Sequence, residues 1–107
     1  MPKYISLVSF TQEGLKNVKD TRKRAKEFAG RARRMGVHIR DTFWCVGRYD
    51  IVHFFEAEDD AAAATISIAL SSFGNVRSET MRAFDADEIS KILGDVYELQ
   101  TAQGTLK

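Results

Sequence analysis

The sequence is poor in the residues that build covalent cross-links or metal centres. Its 107 residues include a single cysteine, Cys45, which excludes an internal disulfide and any zinc site built on several cysteines. Strong net charge is also absent, because 16 lysines and arginines stand against 15 acidic residues and leave +1. No overall field therefore draws the chain to nucleic acid or to a membrane surface. We expect no nucleic-acid partner, no membrane partner, no metal and no cofactor.

Long apolar runs and familiar catalytic signatures are missing as well. No apolar stretch approaches the roughly 20 residues of a membrane-spanning helix, and Met1-Pro2-Lys3 does not open a signal peptide. The expected location is therefore the cytoplasm. The chain has no Walker loop, no G-x-S-x-G or H-E-x-x-H motif and no dinucleotide-binding fingerprint. The sequence leaves open whether the protein is an enzyme.

What is present is an ordinary globular composition, with 44% hydrophobic and 29% charged residues. The length predicts one domain, which we place at residues 1–94, followed by a mobile C-terminal extension at 95–107. Apolar patterns predict the order β-α-β-β-α-β and a further C-terminal helix that ends at Gly94. Helices on one face of an antiparallel sheet make an α+β fold, here a ferredoxin-like plait.

A hairpin at Gly47-Arg48 joins the second and third strands in this prediction. Glycine at the first central position suits a type II′ turn, which gives Gly47 a structural role and pairs Trp44 with Ile51. This register divides the hairpin into two unlike faces. We assign to the helices the face with the apolar residues Ile39, Phe43, Cys45, Val52 and Phe54. The other face carries Arg40, Thr42, Trp44, Val46, Tyr49, Ile51, His53 and Phe55.

The second of these faces is aromatic and too apolar to meet water. The cover we expect is a second copy of the chain, which predicts a homodimer or a higher homo-oligomer. The alternative is that the last helix or the C-terminal tail folds back over this face.

The segment FWCVGRYDIVHFFEAEDDAAA, which contains Gly47-Arg48-Tyr49-Asp50, resembles the signature region of the GYD-domain family. Shorter blocks at Asn17, Gly74 and Arg82 are similar too, and the resemblance extends over about residues 3–94. It implies a dimeric α+β barrel, in which two ferredoxin-like plaits pack sheet to sheet. It implies no reaction, because barrels of this architecture include cofactor-free monooxygenases, isomerases, haem enzymes and amino-acid-sensing domains.

Five residues of the hairpin are candidates to bind a small organic ligand, either between helices and sheet or inside the barrel: Tyr49, Asp50, His53, Trp44 and Arg40. A carboxylate at Asp50 can act as a base or an anchor, and the imidazole of His53 can shuttle a proton. Each residue also has a structural interpretation, such as Asp50 accepting backbone N–H groups. The register puts Asp50 on the opposite face from the other four, so the five should not share one pocket.

Half of the basic residues fall between Lys19 and Arg34. No aromatic residues alternate with them in the pattern of a nucleic-acid site, so we interpret this segment as a solvated helix face. Together, these observations favour an oligomeric binding or sensor domain for a small organic molecule. The alternative is a cofactor-free enzyme, monooxygenase-like or isomerase-like, that acts on a small, partly apolar substrate.

Overall fold

The computed structural model describes residues 1–101 and contains the predicted order of elements. The elements are β1 (Lys3–Phe10), α1 (Gln12–Lys16), a 3-10 turn (Val18–Asp20), α2 (Thr21–Arg34), β2 (His38–Trp44), β3 (Ile51–Glu56), α3 (Asp60–Ser72), β4 (Val76–Ala83) and α4 (Ala86–Thr101). The four strands form one antiparallel sheet in the spatial order β2-β3-β1-β4. This strand order, with α2 and α3 on one face, is that of the predicted ferredoxin-like plait.

The core lies between the sheet and the helices α2 and α3. Phe28 and Ala32 of α2 and Ile66 of α3 are buried against the sheet. The ring of Phe55 stacks on that of Tyr4, with 5.2 Å between the centroids. Ala32 has no exposed surface. Its small side chain lets α2 approach the strands closely.

The hairpin between β2 and β3 has the predicted register at its turn end, where Trp44 pairs with Ile51. At the other end the register shifts between Ile39 and Asp41. Arg40 is the extra residue of this bulge, and a bulge redirects its side chain relative to strict alternation. The strict alternation that the sequence predicted therefore fails at Arg40.

The predicted type II′ turn is wrong. Within residues 1–101, glycines with positive φ are Gly36 and Gly74, and Gly47 does not adopt the left-handed backbone that this turn requires. Six residues separate the two strands. The chain therefore reverses over a wider loop, and Gly47 lies in it without a backbone conformation special to glycine.

The predicted assignment of the two sheet faces is also wrong, except at Ile39, which packs against the core as predicted because the bulge shifts the alternation there. Ile51, His53 and Phe55 are at most 5% exposed and lie under the helices, whereas Phe43 and Phe54 lie on the other face and are 56% and 38% exposed. Both faces of the hairpin are rich in apolar side chains. Alternation therefore fixes which residues share a face, but it does not say which face the helices cover.

The last helix is longer than predicted, because α4 passes through Gly94 and runs to Thr101. Its start has reciprocal capping bonds: the Glu88 backbone N–H donates to Asp85 Oδ1 (2.8 Å), and the Asp85 backbone N–H donates to Glu88 Oε1 (3.0 Å). None of its residues is buried. The mobility expected of the extension at 95–107 stays a prediction.

Residues 102–107 lie outside the described part of the chain. Within residues 1–101, no helix combines the length and the apolar character needed to cross a membrane.

Candidate functional site

A cavity of about 380 Å³ lies between the sheet and the helices α2 and α3. This volume is within the range of small-molecule sites, about 300–1,000 Å³. Most of its wall is apolar and comes from β1, β3 and the buried sides of the two helices. The polar residues of the wall are Thr21, Arg24, Glu27, Arg31, His53 and Asn75.

Asp50 ties the hairpin to the end of β1 beside this cavity. Its carboxylate Oδ2 accepts a hydrogen bond from the Phe10 backbone N–H (2.8 Å), and its own backbone N–H donates to the Val8 carbonyl oxygen (2.8 Å). The Cys45 backbone N–H donates to the Asp50 carbonyl oxygen (2.7 Å). Because Val8 and Phe10 line the cavity, Asp50 fixes part of its wall. This geometry matches the structural interpretation of the carboxylate.

His53 is the member of the predicted ligand set that lines the cavity. It is buried, and its Nδ1 lies 3.0 Å from the hydroxyl oxygen of Thr42. Burial lowers the pKa of His53 to about 4, so the imidazole is neutral at pH 7 and can donate one hydrogen bond and accept another. Within residues 1–101, no three or more His, Cys, Asp or Glu side chains are grouped as metal ligands.

Trp44 lies at the rim of the cavity. Its indole Nε1 donates to the hydroxyl oxygen of Thr21 (3.0 Å), and Thr21 is both the first residue of α2 and part of the cavity wall. The bond therefore joins the end of β2 to the start of α2. Trp44 is itself half-exposed and does not line the cavity.

Arg24 and Arg31 are the wall residues that sequence reasoning missed. The Nη1 group of Arg24 donates to the Asn17 carbonyl oxygen (2.8 Å), while its Nη2 is buried and has no hydrogen-bond partner within residues 1–101. The guanidinium of Arg31 lies 5.9 Å from the ring centroid of Phe73. The sequence did contain a signal for these two residues. Arg24 and Arg31 are four and three residues away from the buried Phe28 and therefore share its side of the helix.

The two remaining candidates lie outside the cavity wall. The Tyr49 hydroxyl donates to Glu79 Oε2 (2.6 Å), and the Arg40 Nε donates to Glu56 Oε1 (2.6 Å). The hydrogen bond to Glu79 raises the pKa of Tyr49, and the Arg40 guanidinium lowers the pKa of Glu56. The structure thus does not bring the five candidates together, and their ligand-binding roles stay predictions.

The sheet face that α2 and α3 leave uncovered carries a continuous apolar strip. Phe43 and Phe54 meet there edge to face, with ring centroids 6.2 Å apart. Phe54 pairs with Ile5 across the strands, and Ile5 pairs in turn with Met81. We call this strip the open face; its members are Ile5, Leu7, Phe43, Val52, Phe54 and Met81.

A second apolar surface runs along α4. Its residues recur at spacings of three and four, which places them on one side of the helix. They are between 37% and 66% exposed. We call this set the α4 row; its members are Ile89, Ile92, Leu93, Val96 and Tyr97.

A smaller polar region lies between α3 and β4. The Tyr4 hydroxyl donates to Asp60 Oδ1 (2.5 Å), and burial raises the pKa of Tyr4 to about 12. The hydroxyl oxygen of Thr80 lies 2.6 Å from that of Ser6 and 2.7 Å from that of Ser67. These contacts satisfy polar groups inside the fold and hold α3 on the sheet.

Comparison with known proteins identifies the family of the chain. A protein of Thermus thermophilus named glutamine synthetase and cystathionine beta-lyase binding protein is 33% identical over 94 residues, which cover 86% of this chain and 99% of that protein. No solved structure matches the chain. The family model described as GYD domain matches residues 4–93, in agreement with the resemblance of the Gly47-Arg48-Tyr49-Asp50 segment. The chain therefore belongs to the GYD domain family.

Proposed function

We propose that this protein is a cytoplasmic, self-associating binding module that recognises a partner protein and holds a small organic molecule in the cavity between helices and sheet. The observation that carries the proposal is the apolar surface that one chain leaves uncovered, on the open face and along the α4 row. Contiguous exposed apolar surface of this kind is typical of protein interaction sites.

A second copy of the chain is the cover that we propose for the open face. Phe43, Phe54 and Met81 are each 38% to 56% exposed in the single chain. Two-fold pairing brings two such strips together and removes both from water. The alternative cover by a folded-back α4 gains no support, because none of its residues is buried. The alternative cover by the C-terminal tail involves residues 102–107, which lie outside the described part of the chain. The proposed interface is thus opposite to the sheet face that the sequence suggested.

The α4 row is the surface that we propose for a partner protein. The described chain extends 59 Å along its longest axis, and α4 presents its apolar side without a covering element. The relative from Thermus thermophilus is named for binding glutamine synthetase and cystathionine beta-lyase. We extend protein binding to this chain, with these two enzymes as the first partners to test.

The small-molecule part of the proposal rests on the cavity, whose apolar wall and few polar groups are typical of ligand sites. One observation bears on the alternative of a cofactor-free enzyme: His53 lies in the cavity wall and is neutral at pH 7, so its imidazole can donate a hydrogen bond to a bound substrate or accept one from it.

The protein-binding proposal is tested by titrating the chain into purified glutamine synthetase and cystathionine beta-lyase from the same source and measuring the heat of binding. We expect binding to at least one enzyme. Leu93→Asp in the α4 row should abolish it, because a carboxylate at a buried apolar contact is strongly unfavourable. Lys91→Asp is the control on the opposite side of α4, where the side chain is exposed, and it should leave binding unchanged.

Three results would count against the proposal. The first is that neither enzyme binds the unchanged chain. The second is that Leu93→Asp binds as tightly as Lys91→Asp. The third is that Leu93→Asp dissociates the self-associated form, which would assign the α4 row to the contact between copies.

A further inference from the structure

The cavity wall carries more cationic than anionic side chains. Arg24 and Arg31 line it, and Glu27 is the acidic residue of the wall, which leaves one positive charge. Within residues 1–101, neither arginine forms an ion pair with an acid. His53 adds no charge at pH 7, because burial keeps its imidazole neutral. The wall therefore favours a ligand with a single negative charge.

Arg24 carries a buried side-chain nitrogen that has no hydrogen-bond partner within residues 1–101. One terminal nitrogen, Nη1, donates to the Asn17 carbonyl oxygen, whereas the other, Nη2, is buried and meets no partner in the part of the chain that the structure describes. Buried polar groups in folded proteins nearly always have a partner, and an exception points to a missing group. A carboxylate can supply that group, because it accepts two parallel hydrogen bonds from a guanidinium.

The apolar side chains of the wall determine what kind of ligand body fits the cavity. Phe28, Ile51, Leu70 and Val76 line the cavity and offer no hydrogen bonds from their side chains. A ligand that fills this space needs an aliphatic or aromatic body, since a second charged or strongly polar group would lose its hydration there.

We propose that the cavity between helices and sheet binds a small apolar monocarboxylate, whose carboxylate pairs with Arg24 and whose body lies against Phe28 and Ile51. This inference rests on the small-molecule part of the proposed function. It is independent of self-association and of partner binding.

The test uses the full chain and calorimetric titration with three probes: phenylacetate, its neutral amide phenylacetamide, and the zwitterion L-phenylalanine. We expect phenylacetate to bind about tenfold or more tightly than phenylacetamide, because only the acid forms a charge-assisted bond to the guanidinium. Arg24→Met should remove this preference. Arg33→Met is the matched control, since Arg33 lies on the same helix, is exposed and does not line the cavity; it should retain the preference.

The outcomes separate this inference from the proposed function. If the amide binds as well as the acid, or L-phenylalanine binds better than phenylacetate, the ligand class is wrong while small-molecule binding stands. If none of the probes binds, the inference is overturned, and the molecular mass of the same samples still decides on self-association. If Arg24→Met does not fold by circular dichroism, the acid-to-amide ratio on the unchanged chain decides alone.

Discussion

Two neighbouring phenylalanines show how differently the two faces of this sheet are used. Phe55 is 3% exposed and stacks on Tyr4 under the helices, whereas Phe54 points to the opposite side and is 38% exposed. Both belong to β3 and to the same apolar run. The difference arises from neighbouring elements, because α2 and α3 cover one face and no described element covers the other. In this fold, apolar content alone does not identify the core, and the uncovered apolar face is where we propose that a second copy binds.

The largest expected effect separates these two residues. Phe55→Ala should lower the free energy of unfolding by about 3–5 kcal/mol, as truncation of a buried aromatic does. Phe54→Ala should lower the free energy of unfolding clearly less in dilute protein. This loss should grow with protein concentration if a second copy covers the ring. Urea unfolding at several protein concentrations measures the loss for each variant. Equal losses of unfolding free energy in dilute protein would contradict the claim that only one face is covered within the single chain.

The next effect concerns the buried polar group of the covered face. The pKa of His53 is about 4 in the folded chain against 6.5 for an ordinary histidine. Between these values the unfolded chain binds a proton that the folded chain excludes, so stability falls as the pH drops from about 6.5 to 4. By linkage the loss reaches about 3 kcal/mol. His53→Gln should flatten this part of the stability profile, whereas His38→Gln should retain it.

A smaller effect compares two glycines. A Cβ on Gly14 would collide with the Asn75 carbonyl oxygen, whereas a Cβ on Gly47 would meet no atom within 4 Å. Gly14→Ala should therefore destabilise the chain by about 1–3 kcal/mol, and Gly47→Ala should change stability little. Thermal unfolding checks both variants. A large loss for Gly47→Ala would restore a backbone role for glycine in the hairpin turn.

The smallest effect tests the carboxylate beside the cavity. Asp50→Asn should cost about 1 kcal/mol, because the amide oxygen can still accept the bond from the Phe10 backbone N–H. Asp41→Asn, on the exposed edge strand, is the control and should be neutral. If the Asp50→Asn variant is more stable than the parent, the carboxylate is strained in the fold, as expected of a group held for ligand binding.

The sequence was sufficient for the fold but not for the side of the sheet that the helices cover. Periodicity predicted the element order, and the pairing of Trp44 with Ile51 followed from the position of the turn. The choice of face depends on pairing of β3 with β1, which places Ile51 beside Val8, and a hairpin pattern does not contain that information. The same limit explains why Phe54 looked like a core residue.

The candidate site was predicted only in part, for a related reason. His53 could be singled out because a histidine within an apolar strand is unusual. Arg24 and Arg31 were missed, because a basic residue on a helix is ordinarily solvated. Their spacing from Phe28 places them on the buried side of α2, but the sequence does not show that this side meets a cavity. Arg40 and Tyr49 were included because of their residue types. Their hydrogen-bond partners, Glu56 on β3 and Glu79 on β4, could not be predicted from the hairpin alone.

The central claim is that the open face is covered by a second copy of the chain, and sedimentation equilibrium tests it most directly. At micromolar concentration we expect a mass of at least twice the 12.1 kDa of one chain. Phe54→Asp should give a folded species of 12.1 kDa, while Val46→Asp, at a fully exposed apolar position outside the open face, should keep the larger mass. A folded monomer for the unchanged chain, or an undiminished mass for Phe54→Asp, would contradict the claim.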